Sequence, residues 1–266
     1  MKRLDLTVPI GLLIGLVAIG GTAAMEGITP KFLWQPTAAL IVIGGTMGAV
    51  VVRRGIRGVR SAVRSCVSLR HKNNSDEFDA NIARLAWLAR AVRREGVKVL
   101  ETHAESNSDP LISRALVLTT VYAQPKEVRI ALDHLLDHED DQGMRDAATL
   151  ESAGVYAPTF GVLGAVLGLI HVLRLLAEPS ALGLGIATAF VATLYGIGLA
   201  NLVFLPLAAR LRERHEMWMK QREALADALV ALASNESPNV ITQRFASLVP
   251  FEGQNLGGRA SRSQGR

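Results

Sequence analysis

The sequence predicts an all-α membrane protein. Four transmembrane helices are expected, with a large helical cytoplasmic insert between helices 2 and 3, and a cytoplasmic carboxy-terminal helix and tail. Three observations carry that prediction. First, four stretches contain no Asp, Glu, Lys or Arg: between Asp5 and Glu26, Lys31 and Arg53, Glu151 and Arg174, and Glu178 and Arg210. Each holds about 20 residues or more, the length that crosses ~30 Å of hydrocarbon as a helix. Second, basic residues gather at one end of these stretches. Lys2 and Arg3 precede the first, Arg53, Arg54, Arg57, Arg60 and Arg64 follow the second, and Arg210, Arg212 and Arg214 follow the fourth. The positive-inside rule makes that side the cytoplasm, so both termini are expected there. Third, the long polar segment between spans two and three has helical periodicity.

Taken in order, residues 1–53 read as a transmembrane hairpin. Lys2 and Arg3 before "LTVPIGLLIGLVAIG" imitate a signal peptide, but the apolar run is long for one and a second span follows at once, so a retained helix is expected. Residues 54–150 read as the cytoplasmic helical insert. Within it, "DEFDANIARLAWLARAVRREGVKVLETHAE" spaces Phe78, Ile82, Leu85, Leu88 and Val92 three or four apart, an apolar helix face that ends at a turn near Gly96. "QPKEVRIALDHLLDHEDDQG" predicts a helix that starts at Pro125 and stops at Gly143. Residues 151–209 form the second hairpin. Residues 210–266 continue the fourth span as the helix "LAARLRERHEMWMKQREALADALVALAS" and finish in "GQNLGGRASRSQGR", a Gly/Ser/Arg-rich tail expected to be disordered.

The composition also excludes functions. The net charge of +5 sits at the membrane boundary, which argues against nucleic acid. No Ser/His/Asp or Cys/His pattern and no phosphate loop is present, so no enzyme is expected, and no cofactor. The single Cys66 cannot form an intramolecular disulfide. His134 and His138 have the i, i+4 spacing of a zinc pair, but no further ligand accompanies them, and a solvated acidic helix end is the better reading; no metal site is expected. His171, in the third span about one turn from Arg174, is a candidate for proton handling or a plain interfacial residue.

The spans are more informative in what they hold and lack. Gly11 and Gly15, Gly44 and Gly48, and Gly164 and Gly168 have the GxxxG spacing that brings helix backbones close in lipid, within this bundle or toward other chains. Polar atoms come mainly from Thr46, Thr159, Thr188, Thr193, Tyr156, Tyr195 and Asn201. Such hydroxyls line a wet path but do not exchange protons near neutral pH. If the protein conducts protons, another chain must supply the carboxylate.

Several strings resemble the MotA family of flagellar stator proteins, relatives of the ExbB and TolQ energisers. They are "DLTVPIGLLIGLVAIG", "IVIGGTMGAVVV", "ARAVRREGVKVLE", "ESAGVYAPTFGVLGAVLGLIHVL" and "LGIATAFVATLYGIGLANLVFLPLAARL", and the similarity covers about residues 5–250. ExbB and TolQ relatives have three spans, so the amino-terminal hairpin favours MotA. The resemblance implies an inner-membrane subunit that forms a ring of five around two copies of a MotB-like, peptidoglycan-binding partner bearing an ionisable aspartate. Ion flow would drive rotation, with the insert pushing on the rotor protein FliG.

The same resemblance implies residue roles. Pro158 and Pro206 match prolines at the inner ends of spans three and four, and Ala165 and Thr193 line the ion path. Sodium-driven relatives tend to carry threonine where Ala165 stands, so protons are the expected ion. Arg93 and Glu101, with Arg94 beside them, match the charged residues that engage FliG. For Pro158 a second reading stays open, that of a first-turn proline that merely starts a helix. The alternatives to a stator are an ExbB/TolQ-type energiser of an envelope process and a non-conducting membrane scaffold. A small-solute carrier is disfavoured, because the spans offer a charged substrate no partner.

Overall fold

The computed structural model describes residues 7–69, 75–105, 109–122, 124–174 and 179–246. Among the described residues every regular element is helical. The carboxy-terminal tail, expected to be disordered, lies outside them. Four helices are long and apolar enough to cross a membrane. By internal packing the chain divides into two compact units, one of residues 1–72 and 138–217, the other of residues 73–137 and 218–266.

The first unit holds the spans. Helix α1 (Thr7–Met25) buries none of its residues against the chain. Helix α2 (Pro36–Ser68) contains a π-helical stretch, Leu40–Gly44, and breaks at Gly55, whose φ of 69° is a conformation that favours glycine. The apolar run ends at Arg53. Past the break, Cys66 and Leu69 pack with Ala147, Leu150, Ala208 and Leu211. Ser61 and Ser65 both donate to one Asp146 oxygen, at 3.0 and 2.6 Å.

Helix α6 (Pro125–Arg174) runs 50 residues without interruption. The sequence predicts a stop at Gly143, and the helix instead continues through it. Gly143 lies inside the helix, and a Cβ there would run into the ring of His215. This glycine is kept for packing, where sequence reasoning saw a terminator. The first-turn reading of Pro158 also fails, since the proline lies well inside α6. Helix α7 runs Pro179–Gly198, passes through a π-helical stretch, Leu199–Phe204, and continues as Leu205–Ala233. Pro206 accounts for the wide turn before it. It has no N–H for the Leu202 carbonyl, and its ring crowds the preceding turn.

The second unit is a helical globule built from α3 (Ser75–Glu95), α4 (Val99–Glu105), α5 (Pro110–Val121) and α8 (Pro238–Ala246), with the adjoining ends of α6 and α7. The periodic face read from sequence is its core: Phe78, Ile82, Leu85 and Leu88 are buried with Leu116, Leu132 and Leu229, and Val92 is packed against them. The turn at Gly96 is present, with φ 85°. Asp109 caps α5, accepting from Leu111 N–H at 2.9 Å, and pairs with Arg222. The Arg222 guanidinium lies 4.8 Å from the Trp218 ring centroid and is 7% exposed. A charge that deeply buried is tolerated because the carboxylate and the ring both face it.

Candidate functional site

Within the first unit, α6 and α7 meet along a seam of small residues, where Gly161, Gly164 and Gly168 face Ala189, Ala192 and Gly196. A Cβ on Gly161 would lie 3.0 Å from the Ala192 carbonyl oxygen and 3.3 Å from Thr193 Cα. A Cβ on Gly196 would lie 2.6 Å from the Ala157 carbonyl oxygen and 3.1 Å from Pro158 Cα. Farther along, Cβ atoms at Gly164 and Gly168 would meet Ala192 and Ala189 at 2.8 and 2.9 Å. The backbones touch because nothing but hydrogen projects between them, the gain that small residues give helices in lipid.

The seam places two of the expected ion-path residues near each other. Pro158 leaves the Gly154 carbonyl without its usual helix donor, and Gly196 of α7 presses beside it. Thr193 is half-buried one turn before Gly196. Ala165 is half-buried, next to Gly164 of the seam. Pro206 is exposed and lies elsewhere, in a groove shared with α1. His171 is exposed near the end of α6.

Of the polar atoms expected to line a wet path, several are engaged within the chain. Tyr195 hydroxyl donates to the Leu33 carbonyl and accepts from Gln35 N–H at 3.3 Å, while Thr188 donates to the Gln35 carboxamide oxygen at 3.3 Å. Together they hold the connection between α1 and α2 against α7. Thr159 donates to the Tyr156 carbonyl at 2.7 Å, and Asn201 to that of Ile197 at 3.0 Å. Thr46 is buried with no hydrogen-bond partner for its hydroxyl.

In the second unit, the three residues expected to face a rotor are all exposed. Arg93 has internal work as well. It donates from Nη2 to the Asn235 carbonyl at 2.8 Å and from Nε to the Asn235 side-chain oxygen at 3.3 Å, fixing the turn after α7. Asn235 has φ 56°, so the backbone there is held in the left-handed region. Glu101 stands in the first turn of α4, and Arg94 in the last turn of α3.

Sequence reasoning missed two pairings. Gly196 is the closest-packed member of the seam, yet no GxxxG spacing flags it. His215 donates from Nε2 to the Asp140 carboxylate at 2.9 Å while its ring covers Gly143, and only the glycine hinted at this. Among the described residues no group of three or more metal-ligating side chains occurs. His138 contacts Gln142, one turn on, at 3.1 Å.

Comparison with known proteins bears on this arrangement directly. Residues 103–224 match the MotA/TolQ/ExbB proton channel family. Motility protein A of Bacillus subtilis is 30% identical over 93% of this chain and 92% of its own length. The chain belongs to the MotA family. Motility protein A of Aquifex aeolicus is 28% identical over 94% of this chain and 98% of its own. The flagellar MotAB stator complex from Bacillus subtilis superposes with a TM-score of 0.79 at 30% identity, covering 92% of this chain and 96% of that one. The C. jejuni MotAB structure shares the fold, with a TM-score of 0.82 at 23% identity over 95% and 99% of the two chains. As a MotA-family member the chain is a multi-pass inner-membrane protein of a stator channel family, which is not a family of enzymes.

Proposed function

We propose that this chain is a flagellar motor stator subunit that couples ion flow to torque on the rotor. The observation that carries the reading is the proline-bearing seam of α6 and α7, on helices that run on beyond their apolar stretches. One 50-residue helix joins the proline-bearing seam to the insert, and α7 continues likewise past the membrane to Ala233.

The titrating group comes from a partner. The spans contain no Asp, Glu, Lys or Arg, so a MotB-like subunit, with its single ionisable aspartate, supplies the carboxylate beside the ring. Five copies of this chain surround two of that partner, and both termini are cytoplasmic. Protons are the coupling ion: Ala165 offers no oxygen where sodium would need a ligand, whereas proton transfer needs one carboxylate and water. Neither a cofactor nor catalysis of a covalent reaction is involved. Arg94 and Glu101 engage FliG by charge, a mode that sets register at transient interfaces, and Arg93 supports the same surface through its bonds to Asn235.

The test is deletion of the gene in its own organism, in a background lacking any other stator genes. Cells that keep flagella but are paralysed, and swim again with the gene restored, support the reading. Swimming that persists when sodium is replaced by potassium, and stops when the proton gradient is collapsed, supports protons. Normal swimming after deletion would refute the motor role and turn attention to an envelope energiser of the ExbB/TolQ type.

A further inference from the structure

We infer that Trp87 anchors a docking face on the second unit, and that this face takes an acidic protein surface with a slot for one indole ring. Under the function proposed above that surface belongs to the rotor protein, so the inference rests on that reading. Trp87 is not among the charged residues that the family resemblance assigns to the rotor.

Helix α3 has two unlike faces. Leu85, Ala86, Leu88 and Ala89 are buried within the unit, whereas Arg84, Trp87, Arg90 and Arg94 are all exposed. Steps of three, three and four residues keep those four in one row along the helix, about 15 Å long. Trp87 is 50% exposed, yet its ring is held in place. His103 of α4 meets it edge-on, with centroids 5.0 Å apart and planes at 89°, an arrangement that aromatic rings favour. The turn at Gly96, with φ 85°, brings α4 back beside α3 for this contact. An indole already fixed at the surface loses little freedom when a partner covers it.

Charge complementarity selects the occupant. Other arginines of this unit are committed to carboxylates, Arg129 to Asp133 and Asp227, and Arg222 to Asp109. Among the described residues Arg84 and Arg94 have no such partner, and Arg90 donates only from Nε to the Ala86 carbonyl of its own helix, at 3.3 Å. Three cations therefore flank one aromatic ring with nothing in the unit to neutralise them, and carboxylates on a partner complement them. Glu95 ends α3 beside Arg94, and Glu101 stands in the first turn of α4, both exposed. Those two acids would repel a phosphate backbone or a layer of lipid phosphates, whereas a protein surface can set a base opposite them. Tryptophan and arginine are also the residue types that most often carry the energy of protein interfaces, with charge around them setting register and approach.

The experiment uses the full chain in living cells, with a photoreactive benzophenone residue in place of Ala83, which is exposed one turn before Trp87. The same residue in place of Ile130, 50% exposed on α6, is the control. Illumination should cross-link position 83, and not position 130, to the rotor protein. Adding Trp87→Ala should cut that yield about tenfold or more, the loss expected when an interface anchor is truncated. Trp87→Phe, which keeps a ring against His103, should retain most of it, and membrane abundance should stay level in both variants. Should Trp87→Ala lower abundance, Arg84→Glu decides instead, since Arg84 can be reversed without touching the core, and it should cut the yield several-fold. An undiminished yield in Trp87→Ala or in Arg84→Glu overturns the proposal. So does a product formed mainly with a second copy of this chain or with lipid. The two readings fail differently. A wrong motor assignment shows as normal swimming after deletion of the gene, whereas a wrong docking face shows as cells that deletion paralyses but that swim normally with Trp87→Ala and keep the cross-link.

Discussion

Substituting Gly196→Ala tests the seam at its tightest point. The added Cβ would sit 2.6 Å from the Ala157 carbonyl oxygen and 3.0 Å from Gly161 Cα, whereas ordinary contact begins at 3.4 Å. The neighbours are backbone, so no rotamer change relieves the clash and the helices must part by 3.4 − 2.6 = 0.8 Å at that level. Overpacking of this kind costs about 1–3 kcal/mol, offset by about 0.5–1 kcal/mol because alanine suits a helix better than glycine, which leaves a net loss of roughly 1 kcal/mol. The displacement also separates Pro158 from α7, and the functional loss should therefore exceed the loss of stability. Gly20→Ala is the control, because a Cβ there meets nothing within 4 Å. Swimming speed per cell, membrane abundance and the thermal midpoint of the purified complex would be measured for both. Slow or absent swimming at near-normal abundance in Gly196→Ala, with Gly20→Ala unaffected, is the expected result. If Gly196→Ala swims and unfolds like Gly20→Ala, the seam is looser than described and the argument is wrong.

Other expectations follow from particular contacts. Arg222→Gln leaves the Asp109 carboxylate, 16% exposed, without its cation, and breaking such a pair costs about 3–5 kcal/mol; the protein should fall sharply in membrane abundance, as immunoblotting would show. Gly143→Ala should destabilise by displacing the His215 ring, at about 1–3 kcal/mol, and adding His215→Ala should recover much of the thermal midpoint. Arg94→Glu and Glu101→Lys should abolish or slow swimming at normal abundance. Arg93→Glu should do so with a lower midpoint as well, since the two bonds to Asn235 are lost, each worth about 1 kcal/mol.

Much of the fold was legible because lipid imposes a coarse rule: length and absence of charge announce a span whatever it packs against. The insert was legible where one face repeated every three or four residues, as in Phe78 to Leu88. What escaped was whatever depended on a neighbour distant in sequence. Gly143 carries the ordinary signature of a helix end, and the His215 ring, on α7, explains why a glycine stands inside the helix there. Pro158 looked equally suited to a first turn or an interior, and its position was decided by the 33 residues of α6 before it. The seam was half legible. Gly164 and Gly168 advertised it by GxxxG spacing, while Gly196 sits across from them on another helix with only alanines, Ala192 and Ala200, at that spacing. Arg93 was singled out by the family resemblance, which carries no sign of its bond to a turn 142 residues away.

The distribution of polar groups sharpens the functional argument. By composition alone, Tyr195, Thr188 and Thr159 suit a self-sufficient conduit. Those hydroxyls instead hold the α1–α2 connection or cap a carbonyl of their own helix, so they are committed to structure. What remains at the membrane seam is a half-buried threonine, a proline that opens the hydrogen-bond ladder, and glycines that let two helices touch. Such a set can guide or respond to a charge, but it has no group that takes up and releases a proton near neutral pH. Under the proposed function the titrating carboxylate therefore comes from another chain.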